Sequence, residues 1–368
     1  MDTFSGNAVS PARVPKYPSV SARTDALITR EYLPEIHMKI LFCGEGFPEA
    51  RRQLAALLPD DELLAFPPDQ LGPHIAEADV VVPTVNRVDE ELIRKGTFGL
   101  IQQFGVGLES VDIGAATKNG VMVARIPSEE SGNAASVAEH AILFMLMLSR
   151  NWNRLSRARE ENRPLPWGSP EGQALLGKNV CIVGLGGIGR ELARRLAGFK
   201  VRITTVDDHP GRTVPGVEIA RQYSLANLPA ALAEADYVVL SLNYTPDRFH
   251  FIGAAEIAAM KPGVYLINVA RGGLLDPDAL LAALKSGHVA GAGLDVFWEE
   301  PVDMSHPIFS ENVIATPHTA GVTDVSYEGI ARAFAENMKR YAAGEKPLYL
   351  ANAPDRLRKA RPGQTVMR

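Results

Sequence analysis

VCIVGLGGIGREL, residues 180–192, holds the reading on which the fold turns. A short apolar run leads directly into G-x-G-x-x-G, with glycines at Gly184, Gly186 and Gly189, and these lead into a stretch of helical spacing. Each glycine has its own physical reason. The first permits a tight turn after a strand, the second lets backbone come close to a pyrophosphate, and the third lets helix and strand pack closely. A helix starting around Gly187 and Ile188 would aim free amide groups at the phosphates. Asp207 ends the next apolar run, 18 residues after Gly189. An acid there can accept hydrogen bonds from the adenosine ribose hydroxyls and would repel a 2′-phosphate, so the motif predicts NAD rather than NADP as cofactor. Asp208, beside it, could share that role.

Working outward from the glycines, the chain after Lys178 alternates the runs NVCIVG, VRITTVD, DYVVLSLN, VYLINVA, AGLDV and NVIATP with helical stretches such as GRELARRLAGF. A first series of the same kind starts at Met38: MKILFC, ELLAF, DVVVP, LIQQF and VMVAR. Strand–helix alternation implies parallel sheets with helices on both faces. Between the series, residues 133–150 are apolar on all sides, which predicts a helix that is buried or lies at a subunit contact. VSYEGIARAFAENMKRYAAG, after the last strand, predicts a helix carrying the chain back to the first series.

The expected fold is therefore α/β, with two Rossmann-like, doubly wound parallel-sheet domains, the NAD-binding one inserted in the substrate domain. Residues 1–37 form an N-terminal extension. Residues 38–132 and 322–350 form a discontinuous, flavodoxin-like substrate-binding and catalytic domain. Residues 133–321 form the nucleotide domain, and residues 351–368 a loose tail. The cleft between two such domains is a common ligand site.

Composition narrows the function classes. A chain of 368 residues can bury two good cores, and a formal charge of −5 carries no basic surplus for nucleic acid. Cys43 and Cys181 sit inside strand-like runs and make no disulfide framework, so a reducing, cytoplasmic setting is expected. AILFMLML, the apolar run at 141–148, is far shorter than the roughly 20 residues a membrane span needs. No Cys/His spacing suggests a metal. The first 37 residues carry Pro11, Pro15 and Pro18 without an apolar period, the pattern of a disordered or surface-wrapping extension.

The reaction is read from three loop-like segments downstream of the glycines: VARGGLLD with Arg271, GLDVFWEEP with Glu300, and ATPHTAG with His318. An arginine offers a rigid, permanently charged fork that can bind a substrate carboxylate and polarise the neighbouring carbonyl. A histidine can give a proton to a developing alkoxide or take one from a hydroxyl. A glutamate can hold the other ring nitrogen and favour the imidazolium.

These segments, with QQFGVGLESVD, SVAEHAILFMLMLSR, GLGGIGRELA and INVARGGLLD in the same order, resemble the D-isomer-specific 2-hydroxyacid dehydrogenases across roughly residues 38–344. The resemblance implies that Arg271, Glu300 and His318 are catalytic and that hydride passes between the nicotinamide and C2 of a small 2-hydroxy or 2-keto acid. It further implies that Gly105, Val106 and Gly107 bind the substrate carboxylate through backbone amides. Asp295 would hold the nicotinamide carboxamide, Ala270 would contribute backbone contacts beside it, and Leu242 and Asn243 would line the adenine pocket. At Asn243, however, the family's usual proline-leucine-threonine run is replaced by Asn243-Tyr244-Thr245. A homodimer is the usual family assembly.

Two departures narrow the substrate. Phosphoglycerate dehydrogenases commonly place an arginine-serine pair after the third strand, where this chain has Pro83-Thr84-Val85-Asn86, and the chain is short for their regulatory domain. Similarity to the formate dehydrogenase branch keeps Asn133 as a substrate contact, yet that branch has glutamine where this chain has Glu300. Formate oxidation has no alcohol proton to manage. Glyoxylate, hydroxypyruvate or pyruvate is the expected class. A phosphoglycerate dehydrogenase-like enzyme and a nucleotide-sensing scaffold of the corepressor type are the alternatives.

Overall fold

The computed structural model describes residues 37–358; most of the expected N-terminal extension and residues 359–368 lie outside the described residues. The first five strands are β1 (Lys39–Phe42), β2 (Glu62–Ala65), β3 (Val80–Val82), β4 (Leu100–Gln102) and β5 (Met122–Ala124). They pair in parallel in the order β2-β1-β3-β4-β5, the flavodoxin-like order. The central strand β3 is Val-Val-Val and wholly buried, as a strand covered on both faces must be.

The second sheet holds β6 (Asn179–Val183), β7 (Arg202–Asp207), β8 (Arg221–Ser224), β9 (Tyr237–Leu240), β10 (Val264–Asn268), β11 (Val289–Leu294) and β12 (Val313–Ala315). Their order is β12-β11-β10-β9-β6-β7-β8, again all parallel. The direction of winding reverses between β6 and β9. Ligands of open α/β sheets bind at the carboxyl ends of the strands at such a switch point. The glycine loop leaves β6 at that place.

Sequence and structure part company on β8. Its residues Arg-Gln-Tyr-Ser are exposed or half-buried and carry no apolar run, so nothing in the sequence marks them as an edge strand. The long central helix runs over Asn133–Ser149 and buries most of its residues, among them Ala138, Ala141, Phe144 and Met145.

Helix Asp324–Ala342 returns to the first sheet. Its Ile330, Phe334 and Met338 are buried with Met38, Ile40, Phe42, Val80 and Leu100. Asn337, fully buried on this helix, donates to Gln102 Oε1 at the end of β4 and exchanges hydrogen bonds with the backbone of Leu348.

The tail expected to be loose is docked as far as Arg358. Ala351 N–H donates to Val123 O, and Asn352 accepts from Val123 N–H while donating to Thr117 Oγ1 and Val121 O. The Arg358 guanidinium reaches the carbonyls of Ile93, Gly96 and Asn119 and lies over the Phe98 ring. These bonds satisfy an edge strand and a helix end that would otherwise be left unpaired. Cys43 and Cys181 are both free and buried, and burial pushes each thiol up to about 12, so neither is a nucleophile at neutral pH.

Candidate active site

The glycine loop has the form a bound pyrophosphate requires. Gly184 has φ +101°, and a side chain there would overlap the backbone of Leu242, which follows β9. A Cβ on Gly189 would overlap the carbonyl oxygen of Gly184, so strand and helix cross in contact. Gly187 is likewise packed, against Ser128 and Glu129, whereas Gly186 faces open space. A bare Cα facing empty space at the start of helix Gly187–Ala197 is a cradle for an anion, with the first-turn N–H groups, those of Gly187 and Ile188 included, left without intrahelical partners.

Asp207 closes β7 and is 5% exposed. Its carboxylate accepts from the N–H groups of Leu185 in the glycine loop and of His209, and Arg212 Nη1 stands 3.3 Å away. Asp207 therefore ties the glycine loop to the neighbouring strand end. Asp208 is taken up by Arg248, whose Nη2 donates to both carboxylate oxygens and whose Nη1 donates to the Asn243 carbonyl; Asn243 itself is exposed and Leu242 buried.

Arg271 follows β10, and its loop is fixed from behind by Asn268, 1% exposed. The Asn268 carboxamide accepts from Ala270 N–H and donates to Arg271 O. Gly272 lies directly on the Phe297–Trp298 backbone, where any side chain would clash, so the arginine loop sits against the segment that carries Glu300. The guanidinium donates from Nε to Glu109 Oε1 at 2.8 Å and from Nη1 to Ala270 O at 2.7 Å.

Glu300 joins the other two members of the set. Its Oε1 accepts from Phe297 N–H and its Oε2 lies 2.8 Å from His318 Nδ1. Burial would raise its carboxyl. The hydrogen bond and charge of His318, the Phe297 N–H and the nearby Arg271 outweigh burial and hold it below the usual carboxylate range. His318 has φ +55°, a conformation that costs a non-glycine residue about 1–2 kcal/mol. The turn is held by Asp295, 2% exposed, whose carboxylate accepts from Thr319 N–H, Ala320 N–H and Thr316 Oγ1 and whose carbonyl accepts from His318 N–H. Asp295, expected as a cofactor contact, anchors the histidine turn, a role the sequence reading did not assign to it. His140 Nε2 meets Thr316 Oγ1 at 2.9 Å and extends this chain of bonds to the central helix.

In the first sheet, the loop after β4 is folded by Gln103, whose side chain donates to Thr84 O and Gly107 O and accepts from Phe104 N–H. Gly105 has φ +133°, and among the described residues the N–H groups of Val106 and Gly107 meet no protein acceptor. Gly107 carries Arg271 Nη2 and Glu109 Oε2 over its bare face. The structure thus brings the loop at 105–107, Arg271, Glu300 and His318 into one neighbourhood. Asn133 opens the central helix, packs against Gly321 and donates to Ser326 Oγ on the return helix.

The sequence reading missed Glu109, Asn268 and Thr316. Asn268 and Thr316 show no sequence signal, because they act through backbone and buried partners. Glu109 could have been singled out as an acid two residues beyond an expected anion loop.

Residues 142–320 match the model of the D-isomer specific 2-hydroxyacid dehydrogenase NAD binding domain. The chain is 34% identical over 289 residues to the glyoxylate reductase of Thermococcus litoralis, covering 76% of this chain and 85% of that one. It is 33% identical over 332 residues to D-3-phosphoglycerate dehydrogenase 2, chloroplastic, of Arabidopsis thaliana; there it spans 88% of its own length but about half, 52%, of the relative's. Among solved structures, the pyruvate reductase of Chlamydomonas reinhardtii superposes with a TM-score of 0.71 at 27% identity, over 85% of this chain and 99% of that one. Sheet order, glycine loop and these likenesses agree: the chain belongs to the D-isomer specific 2-hydroxyacid dehydrogenase family, with an NAD-binding domain.

Proposed function

We propose that the protein is an NAD-dependent dehydrogenase that interconverts a small, unphosphorylated 2-keto acid and the corresponding D-2-hydroxy acid. The observation that carries the reading is the Glu300–His318 pair at 2.8 Å with Arg271 close enough to act on the same carboxylate. His318 uses Nδ1 on Glu300, so its Nε2 is left to face a substrate oxygen. In reduction Nε2 donates a proton to the oxygen as it gains charge; in oxidation it takes the hydroxyl proton. Arg271 and the N–H groups of Val106 and Gly107 hold the carboxylate and fix the C2 carbon in place. NAD, when bound, supplies the hydride chemistry. Gly184, Gly186, Gly187, Ile188 and Gly189 would cradle its pyrophosphate, and Asp207 its ribose. Leu242 and Asn243 would border the adenine, and Ala270 and Asp295 the nicotinamide. Asn133 stands as a further substrate contact.

Glutamate rather than glutamine at position 300 supports acid/base chemistry on an alcohol. Steady-state turnover of a panel of 2-keto acids with NADH and NADPH in parallel tests the assignment. Fastest turnover with glyoxylate, hydroxypyruvate or pyruvate is expected. Preference for phosphohydroxypyruvate would make the protein a phosphoglycerate dehydrogenase, and tight NADH binding without any turnover would make it a nucleotide-sensing scaffold.

The same reading includes a homodimer. Leu143 on the central helix and Trp152 on the next are 45% and 49% exposed, and an apolar surface of that kind is covered in a C2 contact. A monomer by light scattering at micromolar concentration would remove this part. No helix among the described residues is long and apolar enough to cross a membrane; the cytoplasmic setting proposed here rests on the two free cysteines.

A further inference from the structure

One carboxylate in the site has no part in the reaction as proposed. Glu109 stands two residues beyond Gly107 in the loop of the first sheet, and among the described residues it forms one ion pair, with Arg271 of the second. A guanidinium has two edges that can receive a carboxylate in two-pronged fashion, Nε with Nη2 and Nη1 with Nη2. Glu109 occupies the first through Nε, and the Ala270 carbonyl takes one hydrogen of Nη1. Both hydrogens of Nη2 and one of Nη1 are left over, which puts the remaining donors at the Nη1–Nη2 end of the guanidinium. Arg271 Nη2 and Glu109 Oε2 rest over the bare face of Gly107, where a side chain would displace both. The held arginine therefore lies directly against the loop whose Val106 and Gly107 N–H groups are open.

The geometry points to Glu109 as the positioning residue of the Arg271 clamp: by holding Nε it presents the Nη1–Nη2 edge to the substrate carboxylate beside the 105–107 loop. The inference rests on the reading of Arg271 as that clamp. A stabilising role for the pair is ruled out as its main purpose by exposure. The two side chains are 32% and 44% exposed, and pairs in that environment add little to fold stability. Orientation is a different matter. An arginine side chain left free samples many rotamers, and each encounter with substrate would have to find the productive one.

The test compares Glu109→Ala and Glu109→Gln with the unaltered protein at saturating NADH, together with oxamate binding to the enzyme–NADH complex and NADH binding by fluorescence. Glu109→Ala is expected to raise the KM of the keto acid and the Kd of oxamate tenfold or more. The fall in kcat should be smaller, with unchanged NADH affinity and thermal melting. Glu109→Gln, whose amide oxygen still accepts from Nε, recovers most of the loss. An unchanged KM in Glu109→Ala overturns the inference, and a lowered KM overturns it in favour of a carboxylate that competes with substrate. Should Arg271→Ala itself turn over normally, the clamp reading fails; should Arg271→Ala be inactive while Glu109→Ala keeps a normal KM, only the positioning role fails.

Discussion

At the scale of single residues, the site is a set of charges whose partners decide what each can do. Arg271 keeps donors on Nη1 and Nη2 while Glu109 holds Nε and the Ala270 carbonyl takes one hydrogen of Nη1. Hydrogen bonds to charged groups are each worth about 1.5–3 kcal/mol, so losing two of them costs on the order of 10²–10⁴ in kcat/KM. Arg271→Ala is expected to show that loss with unchanged NADH affinity; near-normal kcat/KM would remove the arginine from the site.

Glu300 yields a prediction with a definite sign. Burial pushes its carboxyl up, and the hydrogen bond and charge of His318, with the Phe297 N–H and Arg271, outweigh burial and hold it below the usual carboxylate range. His318→Ala removes the largest of the groups that favour the carboxylate, so the Glu300 carboxyl is expected to take up its proton at higher pH in that variant than in the unaltered protein. A carboxyl titration followed by NMR that stays in place, or moves to lower pH, would mean that the pair at 2.8 Å does not hold the carboxylate. Arg271, Glu300 and His318 were legible in the sequence because each stands in a recognisable run. Glu109 and Asn268 became legible only once the two sheets were placed, since their partners are far away in the chain or belong to the backbone.

At the scale of elements, the crossing of β6 and helix Gly187–Ala197 separates two glycines that look alike in the sequence. A Cβ on Gly189 would overlap the Gly184 carbonyl, so Gly189→Ala must push helix from strand. A Cβ on Gly186 meets nothing within 4 Å. Gly186→Ala is therefore expected to fold with an unchanged Tm yet to bind NADH at least about tenfold more weakly, its methyl group standing where the pyrophosphate approaches. Gly189→Ala should lose both stability and binding, by about 1–3 kcal/mol for the overpacked contact. Equal behaviour of the two variants in melting and in NADH titration would contradict this division. The strands of both sheets could be read from their apolar runs, except β8, whose polar Arg-Gln-Tyr-Ser lies on the sheet edge and owes its strand form to pairing with β7 alone.

At the scale of the molecule, the chain closes on itself by a route that composition concealed. The basic, proline-containing stretch beyond residue 350 has the look of a free tail, yet Asn352 and Arg358 fasten its first part to the first sheet. Asn352 covers the Val123 N–H of edge strand β5, and Arg358 gathers the carbonyls at the end of helix Glu90–Lys95. Both side chains act by hydrogen bonds to backbone, which leave no periodic trace in a sequence. Each such bond contributes about 0.5–1.5 kcal/mol, more where a charged group takes part. Asn352→Ala combined with Arg358→Ala is expected to cost about 3–6 kcal/mol and to lower Tm by roughly 5–15 °C. Neither residue touches the loop at 105–107 or the second sheet, so kcat and NADH affinity below the transition should stay as they were. A double variant that melts with the unaltered protein would show that the segment merely rests on the surface. One that loses activity before it melts would tie the segment to the substrate loop, because β4 and β5 are neighbours in the sheet and Gln103 N–H donates to the carbonyl of Ala124 between them.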